Sequence, residues 1–213
     1  MKIIGITGSI ASGKTTVEKW MNELGIKTHN SDRVVHVLLG PRGEAVEKVL
    51  AAFGSRFGNL LDGIDRKSLG DAVFSKPKKR MALESILHPM VHHHRDLFIA
   101  QQRKEKALAV GLDIPLLFET GEETICDYVI VVHASLETIT KRALSRPGMT
   151  KDKLANVLAS QIPSDIKIKR ADLILNSDLP KVEMRSNLLN WFSKIGLTMI
   201  MDQHSKKQYS VQE

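Results

Sequence analysis

A chain of 213 residues has room for one α/β core with appended lobes and is too short for two large independent domains. With 42% hydrophobic and 26% charged residues it has the composition of a folded globular protein, which excludes disordered and collagenous classes. The formal net charge of +7 favours anionic partners, yet only 5% of residues are aromatic and these do not interleave with the scattered lysines and arginines, so a nucleic-acid platform is not expected.

Residues 2–7 read as a buried strand, a short β-branched run that ends at Gly8. They are too few, and too poorly followed, to form a signal peptide. Residues 16–24 carry Val17, Trp20, Met21 and Leu24 at the spacing of one helical face, and Gly25 stops the pattern. A short strand at 26–29 leads into Asn30-Ser31-Asp32, which suits the cap of a helix over 33–39. Gly40-Pro41-Arg42-Gly43 punctuates the chain, residues 45–53 read as helix and 54–64 as irregular. Helices follow at 66–74 and 78–87, His88-Pro89 is expected to break the pattern, and Pro89 then opens a helix over 90–104.

The near-continuous apolar runs 107–112 and 128–133 predict strands covered on both faces. The single cysteine, Cys126, forms no internal disulfide and reads as a small buried hydrophobe before the second run. Helices over 136–145 and 149–160 and a last strand over 172–175 complete the pattern, with a polar end at 202–213 expected to be disordered. Alternating strands and helices predict a parallel sheet of about five strands flanked by helices, with a helical substrate lobe and a lid. The core takes 1–32, 106–140 and 172–200, the helical lobe 33–105 and the basic lid 141–171. No stretch approaches the roughly 20 apolar residues of a membrane span, and a cytoplasmic protein is expected.

The chemistry concentrates in Gly8-Ser9-Ile10-Ala11-Ser12-Gly13-Lys14-Thr15, a Gly-x-x-x-x-Gly-Lys-Thr string directly after the first strand and directly before a helix. A fortuitous glycine turn has no reason to occupy that place. Gly8 and Gly13 permit backbone angles that aim successive N–H groups at a phosphate chain, and the helix start adds partial positive charge. Lys14 can reach the β- and γ-phosphates, the Thr15 hydroxyl suits Mg²⁺, and Thr16 continues the same nucleotide-binding turn. ATP with Mg²⁺ is the expected ligand.

Neither Asn-Lys-x-Asp nor Asp-x-x-Gly occurs, which removes a guanine-nucleotide switch. A kinase needs an acceptor site and a basic closing cover, which the helical insertion and the segment 142–170 can supply. Asp32, at the carboxyl edge of the sheet, is a candidate base for the acceptor hydroxyl or a water-mediated Mg²⁺ ligand, and equally a helix cap. Asp113 is the second candidate for metal or base. Arg142 and Arg146, four apart on a predicted helix, share a face and are expected to point at the β- and γ-phosphates. His88, His92, His93 and His94 lack an accompanying carboxylate motif and are not read as a metal site. Trp20, Phe53 and Phe57 are expected in the core.

The chain resembles the dephospho-coenzyme A kinases over residues 1 to about 190. The resemblance rests on Ile6-Thr7 with the phosphate loop, the Asp32 segment, His88-Pro89, Asp113-Ile114-Pro115-Leu116-Leu117-Phe118-Glu119, Lys141-Arg142 with Arg146, Gln161, and Ala171-Asp172 followed by Asn176. It implies transfer of the γ-phosphate of ATP to the 3′-hydroxyl of dephospho-CoA, with no nucleic acid or membrane as partner and the oligomeric state open. It implies a substrate site formed with Asp32, His88, Pro89, Pro115, Leu116, Leu117, Glu119 and Gln161, and an adenine bordered by Asn176. Glu119 either orients the acceptor pocket or pairs with a lysine. Three departures stand out: Asn30 where the family usually has a first aspartate, Val157 where many members have arginine, and Asp178 where they have glycine. A kinase for another small metabolite or nucleoside monophosphate, and a nucleotide-dependent binding protein, are the alternatives.

Overall fold

The first strand, β1 (Lys2–Thr7), is apolar on both faces and buried from Ile3 onward, as the uninterrupted β-branched run requires. The computed structural model describes residues 1–74 and 76–197, so the expectation for 202–213 lies outside the described residues. Helix α1 (Lys14–Glu23) starts two residues before the predicted boundary and buries Val17, Trp20 and Met21. Strand β2 (Thr28–Asn30) is only three residues long and sits further along than predicted.

The chain divides into two compact units, one built from Met1–His29 and the chain from Gln102 onward, the other from Asn30–Gln101. In the second unit α2 (Ser31–Leu38) is capped by the Asn30 side chain, which accepts from the Arg33 N–H at 2.9 Å. There follow α3 (Val46–Phe53), a small antiparallel hairpin of β3 (Gly58–Asn59) and β4 (Gly63–Ile64) inside the stretch read as irregular, and α4 (Arg66–Phe74). Phe57 is buried in this core and Phe53 packs against it.

Helix α5 (Pro77–Lys104) corrects the expected break at His88-Pro89, because it runs through Pro89 without interruption. A mid-helix proline costs about 3 kcal/mol through the lost N–H and the clash with the preceding turn. The continuous helix buries Leu87 before and Val91 after the proline in one core, joined by Leu83, Ile86 and Met90. Apolar burial of about 1.5–3 kcal/mol for each large side chain outweighs the proline.

The first unit resumes with β5 (Ala109–Asp113), β6 (Tyr128–His133), α6 (Leu136–Leu144), α7 (Lys151–Ala159), α8 (Ser164–Lys169), β7 (Leu173–Asn176) and α9 (Lys181–Lys194). The sequence reading had neither α8 nor α9. The five-stranded sheet has the order β2-β5-β1-β6-β7, and β1 pairs in parallel with β5 and β6, as β6 does with β7. Ile4, Ile6, Ile130, Val132 and Leu175 meet Val17, Met21, Leu188 and Phe192 in the core, and Trp20 joins them. The carboxyl ends of β1, β5, β6 and β7 therefore share one edge, where loops of open α/β sheets bind ligands. Cys126 is only half-buried, its sulfur packed toward Gly5.

Candidate active site

The segment between β1 and α1 folds as the glycine pattern demands. Gly8 has φ of 151°, and a Cβ there would meet the Val132 carbonyl oxygen at 2.2 Å. Gly13 caps α1 in the left-handed region at φ 106°, and Ala11 also adopts positive φ, at 57°. Such conformations cost about 1–3 kcal/mol in a residue with a side chain and persist where the surroundings over-determine them. Because α1 begins at Lys14, that residue and Thr15 lie in its first turn, which carries no acidic side chain to compete for an anion.

A cleft of about 540 Å³ opens at this turn, lined by residues 11–16 together with Arg142, Arg146, Ser177, Asp178, Leu179, Lys181 and Met184. Four cations, Lys14, Arg142, Arg146 and Lys181, face a single carboxylate, Asp178. Arg142 lies on α6, but that helix stops at Leu144 and Arg146 lies in the turn beyond it, so the two do not share a helical face as expected. Pro147 disfavours helical angles at Arg146 and explains the stop. Both still line the one cleft.

The loop after β7 braces the phosphate loop from one side. Arg142 donates from Nη1 to Ser177 Oγ at 2.8 Å and from Nη2 to the Ser177 carbonyl at 2.9 Å. Ser177 Oγ in turn donates to the Ser12 carbonyl at 2.5 Å. Asp178 accepts from the Ser135 N–H at 2.7 Å at the cap of α6. Hydrogen bonding from Thr138, then from Ser135, with the Arg142 charge adding, holds the Asp178 carboxyl below its usual value. Asn176 does not line the cleft; its Oδ1 accepts from the Asp178 N–H at 3.0 Å and shapes the turn.

A second brace comes from the α7–α8 connection. Gln161 Oε1 accepts from the Ile10 N–H at 3.3 Å, and the Ser9 and Ser164 hydroxyls are 3.1 Å apart. Glu119 Oε1 accepts from the Ile162 N–H at 2.8 Å and faces Lys167 Nζ at 2.7 Å, with Lys167 only 1% exposed. Of the two readings of Glu119, pairing with a lysine is the one present. Arg170 meets Glu123 and stacks on Phe118, 4.3 Å from the ring centroid. The Pro115 carbonyl accepts from Thr7 Oγ1 at 3.1 Å, Leu117 is buried beneath it and Leu116 is exposed.

Asp113 ends β5 opposite Ile6 and is 4% exposed, at the sheet edge beside the phosphate loop. Asp32 is exposed in the first turn of α2, and His88 and Pro89 are exposed on α5, all three in the second unit. The His88 and His92 rings stack 6.1 Å apart. No group of three or more potential metal ligands occurs among the described residues.

Ser177, Ser164, Lys167, Lys181 and Met184 escaped the sequence reading. Only Ser177 and its neighbours carried a usable signal, their place just past the carboxyl end of a strand.

The chain is similar to known proteins in sequence and in fold. The family model described as dephospho-CoA kinase matches residues 2–181. A dephospho-CoA kinase of Rhodospirillum rubrum is 44% identical over 185 residues, 86% of this chain and 87% of that relative. Among solved structures, a Thermus thermophilus protein superposes with a TM-score of 0.77 at 30% identity, over 92% of this chain and 97% of that one. A dephospho-CoA kinase from Campylobacter jejuni superposes with a TM-score of 0.61 at 28% identity, over 91% and 97%.

Proposed function

Since the chain belongs to the dephospho-CoA kinase family, we propose that it transfers the γ-phosphoryl group of ATP to the ribose 3′-hydroxyl of dephospho-CoA, giving CoA and ADP. The observation that carries the reading is the phosphate loop opening into a cleft rich in cations, within a family match over residues 2–181. In the transfer a bond forms from the acceptor oxygen to the γ-phosphorus, and the bond from that phosphorus to the β–γ bridging oxygen breaks. Charge builds on oxygens, so catalysis is positioning and electrostatic stabilisation. Main-chain N–H groups of the phosphate loop other than those of Ile10 and Ser12, which donate to Gln161 Oε1 and the Ser9 carbonyl, hold the triphosphate with the Lys14 ammonium, while Arg142 and Arg146 meet the β- and γ-phosphates.

The donor set fits Mg²⁺. One hydroxyl, Thr15, stands exposed in the first turn of α1, with a buried carboxylate, Asp113, at the neighbouring strand end. Mg²⁺ keeps several waters and leans on substrate phosphates, so a site of few protein ligands suits it. Bound there, the ion would neutralise charge on the β- and γ-phosphates. Asp113 and Asp32 are the two proposed acceptors of the hydroxyl proton. Gln161, Pro115 and Leu116 are assigned to the acceptor side, Leu117 at 0% exposure supports them from beneath, and the cytosol is the proposed compartment.

The test is ADP release with Mg²⁺ and ATP on offering dephospho-CoA, pantothenate, nucleoside monophosphates and simple sugars. Dephospho-CoA should give the largest stimulation, and Lys14→Ala should abolish turnover with an unchanged circular-dichroism spectrum. Stimulation by another acceptor alone would transfer the enzyme to a different substrate class, and normal kcat in Lys14→Ala would refute the phosphate site.

A further inference from the structure

We propose that Ser177 is a positioning residue for phosphoryl transfer, its hydroxyl locking the Arg142 guanidinium to the main chain of the phosphate loop. The proposal rests on the kinase reading above, in which Arg142 meets the transferring phosphate.

Arginine has a long stem with many rotamers, and an exposed guanidinium has no reason to hold one place. Here Arg142 is exposed, yet two of its N–H groups are spent on one residue, Ser177 Oγ at 2.8 Å and the Ser177 carbonyl at 2.9 Å. The same hydroxyl spends its only proton on the Ser12 carbonyl at 2.5 Å. A hydroxyl that accepts from a cation donates more strongly onward, so the chain guanidinium to hydroxyl to loop carbonyl is polarised in one direction. Both groups also pack at Gly13, where the loop has no side chain: a Cβ there would meet Ser177 Cβ at 3.4 Å and Arg142 Nη1 at 3.9 Å.

Ser177 can act as an anchor because its own turn is fixed. The Ser177 N–H donates to the His133 carbonyl at 2.8 Å, and the Asp178 N–H to Asn176 Oδ1 at 3.0 Å. The Asp178 carboxylate takes the Ser135 N–H at the start of α6, the helix that bears Arg142. One turn of chain thus ties that helix at its N-cap and at Arg142 to the loop that grips phosphate. The remaining edge of the guanidinium fork is left to the cleft that Lys14 and Arg146 also line. A charge held in place by the fold contributes to the transition state without reorganising, so its loss appears in kcat.

The experiment is steady-state kinetics by ADP release on Ser177→Ala, Ser177→Thr, Arg142→Ala and the double variant Ser177→Ala/Arg142→Ala. Ser177→Ala should lower kcat about 10- to 100-fold, the range that misplacement of a catalytic group produces, with KM for ATP changed by less than about threefold. Ser177→Thr, which keeps the hydroxyl, should restore most of kcat, and adding Ser177→Ala to Arg142→Ala should cost nothing further. Unchanged kcat, a loss confined to KM, losses that multiply in the double variant, or no recovery with threonine would each overturn the proposal. ADP release is read whichever acceptor stimulates it. Failure of dephospho-CoA as acceptor would therefore overturn the substrate assignment and leave the Ser177 comparison legible.

Discussion

Removing the ammonium of Lys167 should destabilise the protein by about 3–5 kcal/mol, the usual cost of stranding one charge of a buried pair. The pair is buried on both sides, Lys167 at 1% and Glu119 at 13% side-chain exposure, with Nζ 2.7 Å from Oε1. In Lys167→Met the Glu119 carboxylate keeps only the Ile162 N–H, at 2.8 Å. At about 2–4 °C per kcal/mol for a chain of this size, the melting temperature should fall by roughly 6–20 °C. The double variant Lys167→Met/Glu119→Leu behaves differently. Glu119 Oε2 is buried without a hydrogen-bond partner among the described residues, so desolvation of the pair is incompletely offset, and apolar replacement of such pairs gains about 1–4 kcal/mol. Against this stands the Ile162 N–H, deprived of its acceptor at about 1–3 kcal/mol. The two nearly cancel, and the double variant should melt within a few degrees of the wild type. Urea and thermal unfolding of the wild type, Lys167→Met, Glu119→Leu and the double variant give the coupling energy directly. Additive losses, or a Lys167→Met protein as stable as the wild type, would refute the buried-pair reasoning.

Asp178 has a depressed folded-state pKa against an ordinary value of 3.8, so its stabilisation is fully present above that pH and fades as pH falls through the folded value. Asp178→Asn should therefore lower the melting temperature at pH 7, with the gap to wild type closing below about pH 4; a constant gap from pH 3 to pH 8 would count against the hydrogen bonds to Ser135 and Thr138 as its source. Pro89 is exposed inside α5, so Pro89→Ala should stabilise the chain by about 2 kcal/mol, the helix gain of about 3 kcal/mol reduced by the freer unfolded chain. If the proline also shapes the acceptor pocket, KM for dephospho-CoA should rise in the same variant, and a fall in melting temperature would show that the proline is not the burden on the helix it is taken to be.

Much of the fold was legible because the strong signals were local. The β-branched runs of β1 and β6 fall where predicted, and the phosphate loop sits in its strand-to-helix setting. Errors arose where tertiary packing overrode a local rule. Pro89 reads as a break, yet Leu87 and Val91 on either side of it enter one core and keep α5 whole. Short elements failed for a different reason: the β3–β4 hairpin has two residues in each strand, and α8 only six, too few for a period to show. Of the residues that line the cleft, Lys14, Thr15, Arg142 and Arg146 stood out in the sequence as types suited to phosphate. Ser177 was marked only by its place just past a strand end, and Ser164 and Lys167 were invisible, since their partners lie 155 and some four dozen residues away in the chain.

The two arginines that sequence reading treats as a matched pair are held differently, and that difference bears on how the cleft works. Arg142 is held by Ser177 through both Nη1 and Nη2. The Arg146 guanidinium forms no hydrogen bond or ion pair among the described residues and stands exposed beyond the end of α6. A preset cation reduces the ordering cost at the transition state, whereas a cation on an unconstrained stem can follow the phosphates as charge moves from the γ-oxygens to the leaving ADP. On the proposed kinase reading, the first kind sets geometry and should show in kcat, and the second adds attraction in both ground and transition states and should show mainly in KM. Physical pressure for this division comes from the phosphate loop itself. Its main chain is braced by Gln161 at Ile10 on one side and by Ser177 at Ser12 on the other, so one arginine can be built into the brace while the other remains adjustable.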